Sequence, residues 1–133
     1  FQRRVLHAPL FAVAAPNFAH LKKGFPLSLG NQPVLLQSPL SRPRHEVERF
    51  FHEQSIPLNM VLETDENILL KNLAVAGKGV TFLTEGSVSH WVKQKELVVL
   101  GVLPVSLELW LVGPKRKMLN PVAQKLLKEF SLD

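Results

Sequence analysis

The chain has no cysteine and no apolar run long enough to cross a bilayer, and each absence closes a class of function. Without cysteine, disulfides and thiolate chemistry are excluded. A spanning helix needs about 20 consecutive apolar residues. Pro9, Pro16 and Asn17 interrupt the basic start and the apolar stretch behind it too early for a secretion signal. There is no initiating Met before Phe1-Gln2-Arg3-Arg4, so the chain is expected to be a piece of something longer. Internal repeats and low-complexity stretches are also missing.

Catalytic motifs fail on inspection. His45-Glu46 and His52-Glu53 look like fragments of a zinc-protease helix, but that chemistry needs histidines at i and i+4. Here the fourth position is Arg49 and the second histidine comes at i+7, which reads as a solvated helix face. A phosphate loop through Gly77-Lys78-Gly79 would need glycine at Asn72 and Ser or Thr at Gly79, with the helix after the loop instead of before it. Trp91 and Trp110 are spaced as core or interface residues, not as a base-stacking platform. No nucleophile motif is present, so neither an enzyme nor a metal or other cofactor is expected.

What is there suits an ordinary globular chain. Its 133 residues are 46% hydrophobic and 20% charged, one domain or part of one. A chain of that length buries roughly two thirds of its unfolded surface. The net charge of +5 and pI near 9.8 are compatible with an anionic partner. The basic residues cluster only at Arg42-Pro43-Arg44 and Lys115-Arg116-Lys117, so no continuous DNA-binding stripe is visible.

Apolar patterning predicts alternating strands and helices, and therefore an α/β sheet with helices packed on it. Strands are expected at Pro9–Ala15, Val34–Gln37, Leu58–Glu63 and Val80–Leu83, with two more, Leu97–Leu103 and Leu107–Val112, divided at Pro104. A helix capped by Ser41 or Arg42 places Val47, Phe50, Phe51 and Gln54 on one side. Another, Asp65–Ala76, has Thr64 or Asp65 as its cap and Gly77 as its left-handed stop. Glu85–Gln94 reads as a short helix, and Asn120-Pro121 opens a last one with Val122, Ala123, Leu126, Leu127 and Phe130 inside.

The segment Glu63–Leu83 is the most specific: a capped helix ends in Gly77-Lys78-Gly79 and passes straight into Val80-Thr81-Phe82-Leu83. It resembles the helix–Gly-x-Gly–strand signature of the effector-binding domain of LysR-type transcriptional regulators, with Thr84 standing where that family has proline. Phe11–Pro16 resembles the family's strand ending at a proline, followed by a loop from Asn17 to Lys23; Val34–Leu36 resembles the strand before the effector loop. Leu109–Val112 with Pro114-Lys115 resembles the closing strand. The Ser41–Phe51 helix and the Asp65-Glu66 helix start are most similar to the sodium/proton antiporter regulator branch.

The resemblance implies a periplasmic-binding-protein-like (type 2) fold, a mixed sheet flanked by helices, in which two lobes enclose an effector. Residues 1–105 would then supply the second lobe, and 106–133 the strand and helix that return to an incomplete first lobe. It also implies a cytoplasmic homodimer or homotetramer that senses a small molecule or ion. DNA would be bound only through a winged helix-turn-helix that this chain does not contain, and no membrane is involved. The alternative is one lobe of a periplasmic solute-binding transport protein.

Two strand-to-helix junctions are the candidate site: Ser38, Pro39, Leu40, Ser41 and Arg42, then Thr64, Asp65 and Glu66. Ligands of open α/β sheets collect beyond the carboxyl ends of the strands, where helix N-termini offer unpaired N–H groups. Arg42 and Arg44 stand where the helix dipole disfavours cations, which reads as a seat for a carboxylate or phosphate, or as a solvated basic turn. Acidic residues at the second junction stabilise a helix start by themselves; a cation-sensitive site through Glu63, Asp65 and Glu66 is the functional alternative. Gly79 and Val80 are added as crevice wall, although the glycine pair is first a backbone device.

Overall fold

A computed structural model describes the backbone of residues 2–112 and the side chains of residues 9–104. The expected last helix with Asn120 and Pro121, the basic Lys115-Arg116-Lys117 and the side chain of Trp110 lie outside these. The chain divides into two compact units, Pro9–Val105 and the pair of ends Phe1–Ala8 with Ser106–Asp133. Every candidate site residue falls in Pro9–Val105.

Among the described residues five strands form one sheet in the order β3-β2-β4-β1-β5: β1 (Gln2–Ala14), β2 (Pro33–Leu36), β3 (Asn59–Glu63), β4 (Val80–Thr84) and β5 (Val98–Val112). β2 runs parallel to both β3 and β4, and β1 runs antiparallel to β4, so the sheet is mixed. The α-helices among the described residues are α1 (Arg42–Glu53), α2 (Asn67–Val75) and α3 (Glu85–Lys93).

β2 carries the uninterrupted run Val34-Leu35-Leu36, all buried, because helices cover both faces of the sheet. Alternation along the strands sends Val13, Leu35 and Leu83 to one side, where they pack with Leu70 and Ala74 of α2 and Val88 of α3. On the other side Phe51 of α1 meets Phe82 of β4 edge-to-face, with ring centroids 5.6 Å apart.

Two glycines make the α2–β4 connection possible. Gly77 has φ +80, and Gly77 and Lys78 donate to the carbonyls of Ala74 and Leu73, closing α2 with a Schellman motif. Gly79 lies against β2: a Cβ there would sit 2.7 Å from the Pro33 carbonyl oxygen.

Several expected boundaries move. The predicted loop Asn17–Lys23 is a 3-10 helix, Pro16–Lys22, started by proline in its first turn and anchored by buried Leu21. β5 continues through Pro104 as one strand; it is the sheet edge, where a missing N–H removes no central ladder bond. β1 extends back to Gln2, with Pro9 just outside the β4 ladder that begins at Leu10↔Thr84. In α1, Gln54 is exposed, and the buried face instead runs back from Phe51 and Val47 to Arg44. α2 starts at Asn67, because the Thr64 hydroxyl accepts from Glu66 N–H and holds a turn where a cap was expected.

Replacing Gly79 by Ala forces β4 off the β2 backbone and is expected to cost about 1–3 kcal/mol in chemical denaturation. Gly77→Ala, which has room but needs positive φ, is expected to cost about 1 kcal/mol. Equal and negligible effects in both would contradict the close approach.

Candidate effector site

The carboxyl ends of β2 and β3 lie side by side, because Leu35 pairs with Leu62 and Leu36 with Glu63 in parallel register. Both strands feed a turn and then a helix, so both candidate junctions stand at one end of the sheet. A backbone bond ties them directly: Thr64 N–H donates to the Leu36 carbonyl at 3.0 Å.

The first junction is a tight turn. Ser41 N–H donates to the Ser38 carbonyl at 3.1 Å, and the Ser41 hydroxyl accepts from Arg44 N–H at 3.2 Å as the N-cap of α1. Pro39 is exposed and Leu40 is 94% exposed, an unusual setting for leucine. Leu40, Arg42, His45 and Glu46 line an open cavity of about 370 Å³ at the start of α1. Arg42 is exposed there, whereas Glu46 is paired with Arg49. In the second junction Thr64 is half-buried, and Asp65 and Glu66 face solvent.

Gly79 and Val80 do not join this group. Val80 pairs with Val34 at the amino end of β4, while the junctions sit at the carboxyl ends of the strands parallel to it. Val80 is fully buried and Gly79 is pressed against Pro33, so both support the sheet.

Arg44 also departs from its expected role. Its side chain is committed inside the protein: Nη1 donates to the Gln37 carbonyl at 2.9 Å and to Glu63 Oε2 at 2.8 Å, and Nε lies 3.0 Å from Glu48 Oε1. The Glu48 contact is a close ion pair without hydrogen-bond alignment. Burial works against the charged guanidinium, yet the two glutamates outweigh it and hold the Arg44 pKa above its ordinary value. Gln37, only 4% exposed, donates from Nε2 to the Phe82 carbonyl at 3.0 Å. Arg44 is therefore turned inward onto Gln37 and Glu63, and Glu63 is occupied with Arg44 instead of facing a cation. Among the described residues no group of three or more His, Asp and Glu is arranged to hold a metal ion.

The sequence reading missed Gln37, Glu63 and Arg44 as one network. One signal was available: Arg44 stands at i, i+3 and i+7 with Val47 and Phe51, and a cation on an apolar face implies a buried partner.

Parallel strands feeding helices at one sheet end, in a mixed sheet flanked by helices, define an α/β fold of the periplasmic-binding-protein type. The comparisons with known proteins specify it further. The model of the LysR substrate binding domain matches residues 1–131, and the chain belongs to that family. It is 30% identical over 129 residues to the transcriptional activator CmpR of Synechocystis sp., covering 94% of this chain and 42% of CmpR. It is 31% identical over 124 residues to the transcriptional regulator CbbR of Xanthobacter flavus, covering 91% of this chain and 37% of CbbR. The chain thus spans well under half of these relatives, which are transcriptional regulators and not transport proteins.

Solved structures share the fold. The regulatory domain of Synechocystis CcmR in complex with 2-PG superposes with a TM-score of 0.77 at 20% identity, over 98% of this chain and 65% of that one. The apo regulatory domain of HypT from Salmonella typhimurium gives 0.73 at 20% identity, over 98% and 63%.

Ser41→Ala is expected to destabilise the domain by about 1 kcal/mol through loss of the cap. Arg42→Ala, on an exposed side chain, is expected to change stability by less than about 0.5 kcal/mol. Urea denaturation of both variants checks the contrast; a large loss in Arg42→Ala would make that residue structural.

Proposed function

We propose that this chain is the effector-sensing part of a LysR-type DNA-binding transcriptional regulator, and that its effector is a small anion seated at the junctions Ser38–Arg42 and Thr64–Glu66. The observation that carries the reading is the open cavity at the capped start of α1, with exposed Arg42 on its rim and Leu40 beside it. Helix N–H groups and a guanidinium favour a carboxylate or phosphate there, and Leu40 gives an apolar contact. A domain of the same fold in complex with 2-PG supports the choice of ligand class.

In this reading residues 1–105 serve as the second lobe, and 106–133 return to the first. The regulator works in the cytoplasm as a homodimer or homotetramer and holds DNA through a separate helix-turn-helix. The effector acts by population shift, binding one arrangement of the regulator more tightly than the other. The finer placement in the sodium/proton antiporter regulator branch rests on the Ser41–Phe51 helix and the acidic second junction.

Thermal unfolding of the full-length regulator tests the proposal, with inorganic phosphate, 2-PG and acetate each compared with sodium chloride at matched ionic strength. At 100-fold excess over its dissociation constant, a specific anion stabilises by about 2.7 kcal/mol. That gain is expected to vanish in Arg42→Ala. Equal stabilisation by all salts, or full retention in Arg42→Ala, contradicts the anion seat. A response to sodium over potassium would instead favour the antiporter-regulator branch.

A further inference from the structure

We infer that Arg44 is a positioning residue that sets the two effector junctions relative to each other, a role that rests on the reading of those junctions as the site. Arg44 belongs to α1, three residues beyond the cap Ser41, so its backbone N–H already holds the first junction through the Ser41 hydroxyl. Its guanidinium reaches to the carboxyl end of β2, at the Gln37 carbonyl immediately before Ser38. The same Nη1 reaches to the end of β3, at Glu63 immediately before Thr64.

One side chain thereby touches the last residue before each junction. Gln37 is itself anchored on β4, its Nε2 donating to the Phe82 carbonyl, so β4 serves as the fixed support of the bridge. Glu48, one turn along α1, pairs with the remaining edge of the guanidinium and fixes its plane. The planar, multi-donor head of arginine suits this bridging; the point charge of lysine cannot reach all three partners at once.

The geometry has a consequence that burial alone does not. Glu63 lies far from Ser41 in sequence, yet weakening the Glu63 contact must loosen the first junction as well as its own. An arginine that merely stabilised the domain would loosen everything, β4 included.

Hydrogen–deuterium exchange on the full-length regulator separates these cases, read over residues 38–44 and 63–67 with residues 80–84 as the reference. Glu63→Gln, at a side chain open to solvent on one side, keeps the shape and weakens the ion pair. It is expected to speed exchange in both junction segments roughly tenfold, the scale of one charge-assisted hydrogen bond, with the reference unchanged. Arg44→Lys is expected to give the same joint pattern. Acceleration confined to 63–67, or equal acceleration of the reference, overturns the inference; should Arg44→Lys unfold, Glu63→Gln alone decides. The readout needs no effector: joint loosening in a protein that ignores anions leaves the positioning role standing and removes the anion seat.

Discussion

A guanidinium buried at the start of a helix sits against the positive end of the helix dipole and away from bulk water, two costs that only close partners can offset. Arg44 meets them with Gln37, Glu63 and Glu48, and the site end of the sheet is organised around that requirement. β2 and β3 must end level for one side chain to reach both. α1 must begin where its third residue can turn inward, which sets the length of the Ser38–Ser41 turn. Exposed Arg42 and the first turn of α1 offer donors at that end of the sheet. The acidic residues left are Asp65 and Glu66.

The rest of the fold holds this arrangement still. β2 is covered on both faces, with the Phe51–Phe82 pair on one side and Leu70, Ala74 and Val88 on the other. Thr81 is fully buried and donates its hydroxyl to the Leu35 carbonyl at 2.9 Å, a further stitch between β4 and β2. Lys71 donates to the Ser87 carbonyl and lies 4.6 Å above the Trp91 ring, which fastens α2 to α3. Loops positioned by a rigid scaffold are where binding residues are generally found.

Much of this was legible in the residues. A continuous apolar run marked β2, and Gly77-Lys78-Gly79 before Val80-Thr81-Phe82-Leu83 marked the helix-to-strand passage whose geometry requires both glycines. The order of elements carried the family. What escaped was set by contacts distant in sequence. Periodicity extends the apolar face of α1 forward to Gln54 as readily as back to Arg44, since it does not say which polar residue has a buried partner. Thr64 and Asp65 are both good caps, and only the turn bond to Glu66 shows why α2 waits until Asn67. Gly79 and Val80 read as crevice wall from the residues alone, because the strand pairing that puts them at the amino end of β4 is not visible there.

The most direct test of the anion seat is a ¹⁵N–¹H titration of the protein with inorganic phosphate against sodium chloride. The account predicts phosphate-specific shifts at the amides of Ser41, Arg42, Thr64 and Asp65. Shifts gathered instead around Lys22 and Lys95, which line a separate cavity past the end of α3, would contradict it.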